Sequence, residues 1–157
     1  MSLTIRTGTA EDLTACIPIL EAIRQRYQTF EPQFWKRAPG AAAMSHTFLT
    51  YLIAQETTLF LIAEENGAVT GFLTAKPQPA PPVFAPGATA FVDDFCVADE
   101  AAWATTGAAL LREARAKLKE RGFEQVIVVT AYRDDGKMAM LKQEELSLAS
   151  AWWVGRP

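Results

Sequence analysis

A chain of 157 residues is long enough for one domain with a full hydrophobic core and short for two, so a single domain over 1–157 is expected. Half of the residues are apolar, and 15 Lys and Arg against 18 Asp and Glu leave a formal charge of -3, which argues against a general nucleic-acid coat while leaving room for a local basic patch. No apolar run reaches the length of a membrane span and the opening MSLTIRTGTAEDL carries no export segment, so a cytoplasmic protein with no membrane partner is expected. Cys16 and Cys96 fall in different predicted elements, and with a single histidine they give no zinc spacing. Both read as buried free thiols, and no metal is expected.

In chain order, Leu3 to Arg6 reads as a short strand. Thr9 followed by Asp12 resembles a helix cap, and Leu13, Ile17, Leu20, Ile23 and Tyr27 then supply a helical face. Pro18 interrupts that pattern, where a bend or local break is expected. Glu31 to Gly40 is irregular, its Phe34 and Trp35 either packing on the core or shaping a substrate mouth. A second helix is predicted from Ala41 to Gln55 with Met44, Phe48, Leu49 and Leu52 buried; His46 within it has no nearby nucleophile or acid and reads as a surface residue. Leu59 to Ala63 and Val69 to Ala75 flank Asn66-Gly67 and read as an antiparallel hairpin. The segment KPQPAPPVFAPGA is too rich in proline for regular structure; it walls a cleft or connects over the surface.

The stretch from Thr89 to Thr130 organises the chain. TAFVDDFCV reads as a strand, the pattern of Leu110, Leu111, Ala114 and Leu118 as a helix, Gly122 as its stop, and Val126 to Val129 as a strand covered on both faces. Such a unit is expected to be a right-handed parallel crossover whose open end holds a ligand. A last helix from Asp134 to Glu145 is expected to turn Met138 and Leu141 to the core, with Met140 as a further candidate, and to leave Lys137, Lys142 and Glu144 wet. Leu146 to Val154 is predicted to form a terminal strand with Trp152 and Trp153 on opposite faces, one of them covered.

This order of elements, from TIRTGTAEDL to ASAWWVGRP, resembles the GNAT family of acyl-CoA-dependent N-acetyltransferases. The resemblance implies an α/β (α+β) fold with a central mixed, mostly antiparallel sheet flanked by helices and splayed at its centre. It also implies acetyl-CoA or another short acyl-CoA as cosubstrate, and a small-molecule or peptide amine as acceptor. Residues Phe95, Cys96 and Val97 would pair with the pantetheine arm, and the turn at Thr105, Thr106, Gly107, Ala108 and Ala109 would meet the pyrophosphate through backbone N–H groups. Asp134 matches the position of an asparagine in a later family pattern and is placed with the cofactor-binding residues. Asp94, with Asp93 as the alternative, takes the place of a general base, and a bulge would decide which of them faces a given side.

The motif residues depart from the family pattern at Ala102 and Thr105 in the pyrophosphate turn, and at Leu141, where the family carries a tyrosine that serves as acid to the departing thiolate. Leucine cannot donate a proton, which leaves Tyr132 or water for that role. The leading expectation is direct transfer of an acyl group to an amine. A binding module that has lost turnover, and an interaction protein using Trp152, Trp153 or the proline-rich loop, are the alternatives. Whether a homodimer completes the short C-terminal sheet edge is left open by the sequence.

Overall fold

The computed structural model describes residues 2–157. Its sheet runs in chain order through β1 (Leu3–Thr7), β2 (Leu59–Glu65), β3 (Ala68–Pro77), β4 (Thr89–Val97) and β5 (Gln125–Val128). The pairs from β1 to β4 are antiparallel and β4–β5 is parallel, so the sheet is mixed and mostly antiparallel. The four α-helices are α1 (Leu13–Phe30), α2 (Ala41–Ile53), α3 (Thr106–Glu120) and α4 (Asp135–Gln143). Helix α3 covers one face of the sheet and α1, with α2 beside it, covers the other.

Asp12 sets the entry to α1. Its carboxylate accepts from the backbone N–H of Thr9 at 2.8 Å and from the Arg6 guanidinium at 2.7 and 2.9 Å. Helix α1 then runs through Pro18 unbroken, against the expected bend. Pro18 and Thr14, whose carbonyl loses its donor there, are both on the wet side, so that carbonyl stays open to solvent while Leu13, Cys16, Leu20, Ile23 and Tyr27 hold the buried face.

At the hairpin turn Asn66 and Gly67 both take positive φ, 53° and 77°, the conformation that matches the twist of β2 and β3. Helix α3 buries Leu110, Leu111, Ala114 and Leu118 as its spacing requires, each leucine worth about 2 kcal/mol of burial. Both cysteines are free and buried.

Three expectations fail at the periphery. Met44 and Phe48 are exposed, because α2 turns that stripe toward an open cavity while Leu49 and Leu52 go to the core. Strand β5 is an edge, with Ile127 and the following Val129 partly exposed instead of covered on both faces. The terminal strand is absent: residues 147–157 carry no regular structure, and Trp152 and Trp153 are 86% and 96% exposed. Alternation gives those residues strand propensity, but an unpaired strand gains no ladder bonds to offset its ordering.

Candidate active site

Pairing between β3 and β4 slips by one residue between Leu73 and Ala75, so Asp93 and Asp94 together stand opposite Thr74. The bulge separates the fates of the neighbouring carboxylates. Asp93 faces solvent, whereas Asp94 is buried at the floor of a cavity of about 280 Å³ lined also by Arg24, Ala41, Met44, Ser45, Phe48 and Leu49. The Arg24 guanidinium lies 3.4 Å from Asp94 Oδ1 and is shared with Ser45 and Glu21. Burial pushes the Asp94 carboxyl above its ordinary range and Asp93 adds to the rise, while Arg24, Lys137 and Lys76 oppose it. A buried carboxyl whose hold on a proton is raised in this way is the kind of group that serves as a general base.

Beyond the bulge the sheet opens. The β4–β5 register ends at Val92 opposite Val128, with one further bond from Val129 N to Val92 O, while β4 continues to Val97. Ala98 N bonds Thr70 O, so by the antiparallel alternation the polar groups of Phe95 and Val97 turn away from β3 and into the opening. That edge leaves the N–H groups of Phe95 and Val97 without a strand partner. Cys96 points into the core, where burial drives its thiol up to about 12, so it carries no nucleophile's charge.

The turn before α3 is shaped differently from a glycine loop. Glu100–Ala104 form a 3-10 turn capped by the Asp99 carboxylate, which accepts from Ala101 N at 3.0 Å, and Trp103 folds inward from it. Its ring covers Gly107 so closely that a Cβ there would lie 2.6 Å from the indole. Thr105 stands as the N-cap, exposed, with Ala109 N bonded to its carbonyl, while Thr106, Gly107 and Ala108 are buried. The N–H groups of the first α3 turn have no acceptor inside the helix, and the buried Trp103 Nε1 has no partner either. Those donors fit an anionic or amide oxygen lying at the start of α3.

Asp134 is committed within the fold. Its carboxylate caps α4, accepts from Tyr27 Oη at 2.8 Å and meets Arg26 at 3.0 Å, and Arg26 also pairs with Glu100. Tyr132 is 70% exposed with its hydroxyl accepting from Arg133 at 2.7 Å, and it does not line the cavity beside Asp94.

One residue of the site was misread from sequence. Lys137, expected to be wet, is buried, and its Nζ bonds the carbonyls of Phe95 and Val129 across the opening. The signal for it is small: it lies one helical turn after the capping Asp134, on the same face as Leu141.

A family model described as the acetyltransferase (GNAT) family matches residues 20–143. No curated protein matches the chain at a significant level. Among solved structures, a tetramutant of the BH1408 protein from Bacillus halodurans superposes with a TM-score of 0.84 at 10% identity, covering 98% of this chain and 99% of that one. An aminoglycoside antibiotic 6'-N-acetyltransferase from Acinetobacter baumannii gives 0.74 at 13% identity, with 99% and 98% covered. A predicted acetyltransferase with acetyl-CoA from Clostridium acetobutylicum gives 0.69 at 16% identity, with 99% and 96% covered. At these identities the structures attest the fold, while the family model covers most of the sequence. The splayed mixed sheet, the helix-opening turn beside it and the matched residues together place the chain in the acetyltransferase (GNAT) family.

Proposed function

We propose that this protein transfers an acetyl or other small acyl group from acyl-CoA directly to a primary amine, with Asp94 as the base. The observation that carries the reading is the placement of Asp94, buried on the cavity floor one residue before the Phe95 edge of the sheet opening. The cavity between α1, α2 and β4 receives the amine. Asp94, with Asp93 beside it, draws the cationic form in and removes its proton, and the freed nitrogen attacks the thioester carbonyl.

Backbone groups of Phe95 and Val97 orient the thioester arm, and Cys96 serves through the strand's geometry alone. The first-turn N–H groups of Thr106, Gly107 and Ala108, with Thr105 and Ala109 flanking them, meet the pyrophosphate. Asp134 supports this site by fixing the start of α4 and the position of Arg26.

The test is incubation of the purified chain with acetyl-CoA and a panel comprising spermidine, an aminoglycoside, free amino acids and a peptide with a free N-terminus, followed by mass analysis. A product heavier by one acetyl group is expected, and the absence of transfer to every amine overturns the proposal. Trp103 over the α3 turn and Lys137 across the opening favour a second reading, a binding module without turnover. Acetyl-CoA binding by calorimetry with no product in the same panel would establish it instead.

A further inference from the structure

A lysine amine is costly to bury, and Lys137 is only 3% exposed. Its Nζ donates to the Phe95 carbonyl and to the Val129 carbonyl, each at 3.0 Å. Those carbonyls stand on opposite banks of the opening, Phe95 on β4 and Val129 just past the end of β5. Nζ also lies 5.0 Å from the Phe95 ring centroid and 5.1 Å from that of Trp103, so aromatic faces stabilise its charge where water is excluded. An ammonium has three donors and two are engaged here; among the described residues no third acceptor is present. The lysine therefore keeps one N–H without a hydrogen-bond acceptor, beside the half-paired edge of β4.

We propose that Lys137 is the proton donor to the thiolate that departs when the acyl group moves to the amine. The proposal rests on the acyl-transfer reading above. Asp94 and Lys137 bracket the peptide of Phe95, Asp94 opening to the α1–α2 side and Lys137 arriving on α4 over the Phe95 and Trp103 rings. An acyl carbonyl at that edge has a base toward the incoming nitrogen and an acid toward the outgoing sulfur. The nitrogen lone pair forms the C–N bond, the C–S bond breaks with its electrons on sulfur, and Lys137 gives sulfur a proton. Asp94 takes the proton that nitrogen loses, and after the products leave, water entering the vacated opening returns one to Lys137.

No other side chain described at the opening can serve. Leu141 has no proton to give, Tyr132 is turned to solvent with Arg133, and the Tyr27 hydroxyl is committed to Asp134. The groups that act on Lys137 are Asp93, Asp94 and Cys96 of β4 and Asp134 at the start of its own helix, itself held by Arg26 and Tyr27 of α1. Burial outweighs those acidic neighbours and lowers the hold of Lys137 on its proton.

The test uses the full chain, acetyl-CoA and each amine that the wild type acetylates, with Lys137→Met to keep the packing and Lys137→Arg to keep the charge. For Lys137→Met, kcat is expected to fall by about 10²-fold or more, with the KM for acetyl-CoA changed by less than about threefold. The wild-type kcat is expected to decline at alkaline pH as Lys137 loses its proton, and both variants to lack that decline, because a guanidinium does not deprotonate in that range. Lys137→Arg should recover only part of the rate.

An unchanged or higher kcat in Lys137→Met, or a loss confined to KM, would make Lys137 a plug or a staple and overturn the proposal. A wild-type kcat with no alkaline decline overturns it without any variant. If the wild type acetylates no amine, the acyl-transfer reading falls and this one with it; wild-type turnover with an indifferent Lys137→Met removes this one alone.

Discussion

Burial holds the Asp94 carboxyl above the ordinary aspartate value of about 3.9, and that shift has opposite consequences for rate and for stability. As a base Asp94 must be ionised, so kcat/KM is expected to fall on the acid side with a midpoint above the ordinary value. In the native state Asp94 binds its proton more tightly than in the unfolded chain, so its contribution to stability is greatest at low pH and declines as pH rises from the ordinary to the raised value. Asp94→Asn removes the ionisation and should therefore raise Tm near neutral pH while lowering transfer by roughly 10²-fold or more. A variant that is both less stable and fully active contradicts the assignment. The sequence placed the aspartate pair on a strand and favoured Asp94, but the bulge that buries one carboxylate and exposes the other leaves no mark in a run such as VDDFCV. Lys137 was misread for a related reason: helical periodicity assigns faces, while the opening that accepts a buried amine is a property of two strand ends far apart in the chain.

At the scale of elements, the start of the molecule is held by one charged cluster. Arg6 of β1 pairs with Asp12 before α1 and with Glu64 of β2 at 2.9 Å, tying two strands to a helix entry. The Arg6 guanidinium holds the Asp12 carboxyl down to about 2, so the stability it provides is complete above the ordinary aspartate value and is lost as pH falls through about 2. Asp12→Ala should cost about 1–2 kcal/mol in urea unfolding near neutral pH and flatten the loss of stability between pH of about 4 and 2. Thr9 and Asp12 announced this cap, as Asn66-Gly67 announced the hairpin, since both signals are local chemistry at fixed spacing. Helix α2 was located correctly yet oriented in part wrongly, because its exposed Met44 and Phe48 line a cavity, and a cavity wall carries the same apolar pattern as a core face.

Across the whole molecule, the succession of strands along the chain and the parallel crossover from β4 through α3 to β5 followed from the hydrophobic periods, which report burial in the body of a sheet faithfully. They fail at its border, where β5 is an edge and the strand-like tail after Leu146 has no partner. Gln33 Nε2 bonds the Gly155 carbonyl at 3.2 Å, and Trp152 and Trp153 lie bare. Removing residues 147–157 should thus leave the urea midpoint of the monomer unchanged and take away the tryptophan fluorescence most open to acrylamide quenching. A large loss of stability would show that the tail packs on the domain. The half-paired outer stretch of β4 has a consequence of another kind, in the exchange of amide hydrogens with deuterated water. The N–H of Cys96 lies in the β3 ladder and those of Phe95 and Val97 point into the opening, so protection should alternate along three consecutive residues. A ligand that completes the edge should slow exchange at Phe95 and Val97 while leaving Cys96 as it was, a footprint of occupancy that is readable before any turnover is measured.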